Sequence, residues 1–284
     1  MFAGMKTPAV FLSHGAPTIA LEGGDYARDL ERFGRQIEAP RGLVVFSGHF
    51  QEPGPIRITA APRPGLIYDF GGFPDELYRL TYPAPGSPPL ASRIGDLLNR
   101  AGFASVLDGR RGWDHGLWVP LRLAFPRAEV PVVEVSLPRG APPAELMRIG
   151  AALAPLRNEG VVLIGSGGIV HNLRKVRPAA SGDDVDAWAK EFDRWVADRV
   201  EKIEVPELLS YKTLAPHANL AVPTTEHFDP LFVVLGSREE GDRVVTLHEG
   251  FQYGNISLRS LALGETGVGK RETGNGNGER RSVR

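Results

Sequence analysis

The sequence predicts an α/β fold of one domain, with a central, mostly parallel or mixed sheet flanked by helices. Three observations predict it. Short apolar runs end in small residues, as in Leu43-Val44-Val45-Phe46-Ser47-Gly48. This is the pattern of strands buried on both faces. The runs alternate with segments of helical periodicity. The chain's 284 residues suffice for one large core.

Residues 9–13 read as the first strand. Asp25 is placed as the cap of a helix over 25–38, in which Leu30, Phe33 and Ile37 recur at spacings of three and four. Pro40-Arg41-Gly42 ends it before a second strand, 43–48, and a further strand follows at 56–60. Residues 62–89 hold Tyr68-Asp69-Phe70-Gly71-Gly72-Phe73-Pro74 and Tyr82-Pro83-Ala84-Pro85-Gly86. Such a segment builds no regular structure beyond a helical turn near 75–79, and its aromatic content suits a packed loop that shapes a pocket.

Helices are expected at 88–101, from the loop 111–118 to about Pro126, and at 142–157. Strands are expected at 130–137 and 161–165. An amphipathic helix follows at 183–200. A helix with Thr224 as cap runs through Leu235, and strands at 243–247 and 256–261 close the sheet. The folded domain is thus read as 1–263. Residues 264–284 are polar and read as a disordered tail. Within that tail, Gly264 to Lys270 matches the start of a phosphate-binding loop. Arg271 stands where Ser or Thr should follow, and no strand leads in.

Composition narrows the function classes. The formal net charge is −1, with no basic patch before the tail, so nucleic acid is not an expected partner. No run approaches the ~20 apolar residues of a membrane span, and no signal peptide is recognised. A soluble cytoplasmic protein is expected. There is no cysteine, so any transition metal must be held by imidazole or carboxylate, which suits iron, zinc, copper or nickel.

Three apolar runs lead into histidines: Val10-Phe11-Leu12-Ser13-His14, Val44-Val45-Phe46-Ser47-Gly48-His49, and Val161 through Gly168 to His171. If the strands lie parallel, all three histidines reach the C-terminal edge of the sheet, where open α/β sheets bind ligands. A metal site is expected there. Asn172 could orient His171. In Thr224-Thr225-Glu226-His227 either His227 or Glu226 could be a further ligand, since adjacent helical positions diverge by about 100°. His115, between Asp114 and Gly116, is either an acid–base residue or a loop histidine stacked on Trp113 or Trp118. His217 and His248 read as structural or surface residues.

In order and spacing, these motifs resemble the DODA-type extradiol aromatic-ring-opening dioxygenases of the class III, LigB-like superfamily. The resemblance is carried by His14-Gly15-Ala16-Pro17, Ser47-Gly48-His49-Phe50, the two aromatic Gly/Pro segments, Trp113-Asp114-His115-Gly116, Gly167 to Arg174, and Pro223 to His227. It implies a mononuclear metal surrounded by His14, His49, His171 and His227, with His115 facing the substrate. It implies Fe(II) in the active form, with zinc an alternative as purified. It implies a catechol substrate such as DOPA, with O2 as co-substrate. His171 is either a ligand or, like His115, a catalytic acid–base residue. The loops at 68–85 and 113–118 would line the aromatic pocket. Two other readings use the same histidines: a zinc hydrolase, and a non-catalytic metal-binding relative.

Overall fold

The computed structural model describes residues 6–180 and 184–264. The tail from 265, with all but the first residue of the phosphate-loop match, lies outside the described residues, as does Asp183. In chain order the main elements are β1 (Ala9–Ser13), α1 (Asp25–Gln36), β2 (Gly42–Ser47), α2 (Pro88–Arg100), α3 (His115–Ala124), β3 (Val132–Glu134), α4 (Pro143–Leu153), β4 (Val161–Gly167), α5 (Ala187–Lys202), α6 (Asp229–Gly236), β5 (Arg243–His248) and β6 (Ser260–Gly264).

The six strands form one sheet in the order β3-β2-β4-β1-β6-β5. β3, β2, β4 and β1 run parallel. β6 and β5 add antiparallel at the β1 side. The predicted mixed α/β architecture is therefore the observed one, and the C-terminal ends of β1, β2 and β4 share one edge.

Alternation along each strand explains the uninterrupted apolar runs. Phe11, Val44, Phe46 and Leu163 point into a core shared with α2, α4, α5 and α6. Val10, Leu12, Val45 and Ile164 point the other way, into a core shared with α1 and α3. In β1, β2 and β4 every position is thus buried, and each Val, Leu, Ile or Phe there contributes about 1.5–3 kcal/mol. In these three strands polar residues enter only toward the C-terminal ends, at Ser13, Ser47 and Ser166, all fully buried.

Several boundaries differ from expectation. Gly24, not Asp25, caps α1, and Asp25 is its first residue. The helix expected over 142–157 breaks at Ala154–Pro155 into two. A strand at Ser105–Asp108, pairing in parallel with Ile56–Thr59, was not foreseen. The largest correction concerns Thr224: α6 begins at Asp229, with Pro230 next. The preceding residues form a turn in which the N–H groups of Phe228 and Asp229 both bond Thr225 O at 2.8 Å. His227 is therefore a turn residue, free of the helical geometry that had set it against Glu226.

Candidate metal centre

The sheet edge is built so that three chain segments converge. His14 follows β1 directly, and its N–H bonds Gly167 O at 3.1 Å, one step beyond the strand. After β2, Gly48 N–H bonds Ser166 O at 2.9 Å, and His49 N–H then bonds Ser47 Oγ at 3.1 Å. The turn carrying His227 lies across both strand ends, with Gly168 N–H bonding His227 O at 2.8 Å. A Cβ on Gly167 would overlap that carbonyl, and one on Gly48 would stand 2.8 Å from Glu226 O. Glycine at these two positions is a condition of the close approach. Asp229 anchors the same turn, accepting from Thr225 Oγ1 and from Gln51 Nε2, each at 2.9 Å.

The resulting nitrogens face one another. His49 Nε2 lies 3.3 Å from His14 Nε2 and 3.2 Å from His227 Nε2. The donor atoms of the three rings all fall within 4.8 Å.

Their outer partners decide which nitrogen carries the proton. Ser166 Oγ–H donates to Gly116 O, so the same oxygen can only accept from His14 Nδ1–H, at 3.0 Å. Asp69 Oδ2 lies 3.3 Å from His49 Nδ1. Glu226 Oε1 lies 3.4 Å from His227 Nδ1 and also accepts from Thr224 Oγ1. Although burial raises the carboxyl of Glu226, the hydrogen bonds from His227 and Thr224 hold it at about 2, so it is ionised. All three Nδ1 atoms are thereby protonated, and three Nε2 lone pairs point at a common centre. Burial, then the neighbouring imidazoles, push His14 and His49 well below the usual histidine range. A cation between the facing nitrogens fits this donor set.

Ser166 is the outer partner most easily isolated. Ser166→Ala should leave the fold intact and weaken metal binding by about 10–100-fold, measured by competition with a chromophoric chelator.

His115 and His171 stand beside this cluster. Asp69 Oδ1 accepts from His115 Nδ1–H at 2.8 Å and from the His115 backbone N–H at 3.0 Å. Burial raises the Asp69 carboxyl, but its bonds to His115 and its attraction to His49 hold it at about 2. One ionised carboxylate therefore fixes the tautomer of two histidines. His171 is stacked face to face on His227, with centroids 3.6 Å apart and planes 8° apart. It lies outside the three-nitrogen group. Burial, then His227, push it down to about 3. Asn172 does not orient it: its amide donates to Leu220 O and accepts from Arg174 N–H, capping the next turn.

All five histidines open onto one cavity of about 600 Å³, walled by the loop 69–73, by Leu173, Val176 and Pro178, and by Tyr253 and Ile256. Trp113 and Trp118 do not line it. Both are fully buried, and Trp118 Nε1–H bonds Ile67 O beneath the loop. His248 is buried, not on the surface, and bonds Asp29 Oδ2 at 2.8 Å. His217 is exposed and pairs with Glu191.

Sequence reasoning missed Asp69, Ser166 and the buried acids behind the site. Asp114 caps α3 and accepts from Ser47 Oγ at 2.7 Å and from Arg111 Nη2 at 2.9 Å. Arg111 also reaches toward Glu134 at the end of β3, at 3.7 Å. Glu134 is fully buried and neither of its oxygens accepts a hydrogen bond. Burial, then the nearby charge of Asp114, push it well above the usual carboxylate range. A carboxyl raised on folding stabilises the protein below its unfolded pKa of ~4.3. That contribution is lost as pH rises toward the folded value. Glu134→Gln should therefore raise the thermal midpoint at neutral pH, with the difference from wild type shrinking as pH approaches 4 in a melting series.

A family profile described as the catalytic LigB subunit of aromatic ring-opening dioxygenase matches residues 8–263. The chain belongs to that family. It is similar to a 4,5-DOPA dioxygenase extradiol of Beta vulgaris, at 38% identity over 260 residues covering 90% of this chain and 96% of the relative. It is similar to the protein of the same description in Escherichia coli K12, at 37% identity, covering 91% and 95%. The crystal structure of an uncharacterised protein from Escherichia coli K12 superposes with a TM-score of 0.77 at 33% identity, covering 91% of this chain and all of that one. The protein is thus an extradiol ring-cleaving dioxygenase, an enzyme that incorporates oxygen into a small aromatic substrate and depends on a metal. No helix among the described residues is long and apolar enough to cross a membrane.

Proposed function

We propose that the substrate is a catechol, that the metal is Fe(II), and that His14, His49 and His227 hold it. The observation that carries this reading is the convergence of three imidazole Nε2 atoms at the floor of an aromatic-walled cavity. Three imidazoles on one side of the centre leave the cavity side free for two reactants. A fourth ring in the set would narrow that opening, and the stacking of His171 on His227 supports a role outside it. When bound, the iron supplies the electron transfer that couples an aromatic diol to O2, chemistry that redox-inert zinc does not supply.

The chain's own residues handle protons and position. His115 Nδ1–H is fixed on Asp69, so Nε2 is the acceptor for a proton from a substrate hydroxyl. The ionised Asp69 stabilises the imidazolium that results, the logic of a carboxylate–histidine pair in acyl transfer. The same Nε2–H can return the proton when the ring opens. His171, neutral across the working pH range, presents its second face to the cavity and borders the bound ring. Phe70 packs edge-on to His115, with centroids 5.5 Å apart and planes at 89°, and holds the ring from the cavity wall. The catalytic domain is assigned to residues 1–263.

The test is anaerobic loading of purified apoprotein with Fe(II), then addition of O2 and a panel of catechols including DOPA. Oxygen uptake with a visible-absorbing ring-opened product, seen with iron and not with zinc, is the expected result. Hydrolysis by the zinc form without oxygen uptake by the iron form would overturn it.

A further inference from the structure

We infer that Asp114 is a positioning residue for ring cleavage: through Ser47 it sets the place of the His115 ring against the His49 ring. The inference rests on the catechol-cleavage reading above and adds to it a residue that is fully buried and lines no part of the cavity. His49 leaves the end of β2 and His115 opens α3. Their spacing therefore depends on how that helix end sits on that strand end. One side chain from each element makes the joint. Asp114 caps α3, its Oδ1 accepting from Leu117 N–H at 3.3 Å. The same oxygen accepts from Ser47 Oγ–H at 2.7 Å, and Ser47 Oγ accepts in turn from His49 N–H at 3.1 Å. A chain of hydrogen bonds thus runs from the first turn of α3 to the backbone of His49. The two rings it relates stand 4.1 Å apart between centroids.

The joint is tight. A Cβ on Gly116 would overlap Ser47 Oγ and stand 3.0 Å from His49 Cδ2, so the helix end lies directly against the strand end. Arg111 closes the circuit from the other side. Its Nη2 donates to Asp114 Oδ2 at 2.9 Å, and its guanidinium carbon lies 3.7 Å from the centre of the Phe50 ring, the residue after His49. Asp114 thus meets donors from Ser47, Leu117 and Arg111. That set suits a carboxylate and not an amide, whose NH2 would face one of them. Asp69 holds the His115 ring at Nδ1, whereas the Asp114 joint places the backbone from which that ring projects. A buried carboxylate is weak evidence for stability, since its desolvation opposes the gain from its partners. Holding a reactive geometry explains it better, because a displacement of about 1 Å can cost about 10²-fold in rate.

The test is a double-mutant cycle on the Fe(II) protein, with DOPA and 4-methylcatechol as substrates. Asp114→Asn and Ser47→Ala would each be made alone and in combination with His115→Ala. Metal content, anaerobic catechol affinity and thermal midpoint would be measured beside kcat. Ser47→Ala cuts the link without touching the buried carboxylate, so it carries the test if Asp114→Asn does not fold. Each single variant is expected to keep its metal, to bind catechol within about threefold of wild type, and to lose about 10–100-fold in kcat. In the His115→Ala background the same changes are expected to cost less than about threefold, because the ring they place is gone. An equal loss in both backgrounds overturns the inference, as does a wild-type kcat in Ser47→Ala. Loss of metal or of folded protein in both single variants also overturns it and gives the joint to stability. If the wild-type protein binds and cleaves no catechol, the catechol reading fails and the inference fails with it.

Discussion

His49→Ala is expected to remove both metal and activity. His49 is the middle nitrogen of the cluster, within 3.3 Å of each of the other two, so its loss leaves two imidazoles that no third donor joins. Losing a ligand's outer partner typically costs 10–100-fold in metal affinity, and losing the ligand itself should exceed that range. The measurement is metal content after dialysis against a weak chelator, together with oxygen uptake. His171→Ala is the informative contrast. Its ring is stacked on His227 and stands outside the cluster, so stoichiometric metal should remain while turnover falls. Equal metal loss in both variants would make His171 a fourth ligand and overturn the three-nitrogen assignment. The folded state should survive either change, because neither ring belongs to the two apolar cores that hold the sheet.

How much of this was legible in the sequence depends on the range of the interaction. His14 and His49 were readable because they end strands, and strand register is written in the alternation of nearby apolar residues. The parallel sheet then placed them together. Asp69 was not readable as their partner. It pairs with His115 across 46 positions and sits in a loop without periodicity, so only the folded packing of that loop brings it home. The sequence favoured His227 over Glu226, but spacing alone did not decide between them, for a different reason. Thr224 looks like a helix cap, yet Pro230 sets the true start of α6 five residues later, and the intervening turn aims His227 inward and Glu226 at its outer nitrogen. Trp113 and Trp118 illustrate the general ambiguity of aromatic residues. Nothing local distinguishes a ring that walls a cavity from one that supports the wall from behind, and these two support it. For His248 the structural alternative is the observed one, and local sequence could not select it because its partner, Asp29, lies 219 positions away.

His115→Ala is expected to lower kcat by about 10²–10⁴, the usual contribution of a positioned acid–base group, while metal binding persists. The separation follows from the geometry. His115 shares Asp69 with His49 but contributes no nitrogen to the three-ring cluster. Its removal therefore leaves His14, His49 and His227 in place, with Asp69 still available to His49. Asp69→Asn should be worse in one respect. The amide cannot serve both histidines as an ionised acceptor, so it should disturb the tautomers of His115 and His49 together and lower metal affinity as well as kcat. A His115→Ala enzyme that keeps its metal, binds catechol and turns over slowly would assign the proton to His115. If it turned over at the wild-type rate while His171→Ala did not, the proton would travel by the ring stacked on His227, and the Asp69–His115 pair would be a structural support of the cavity wall.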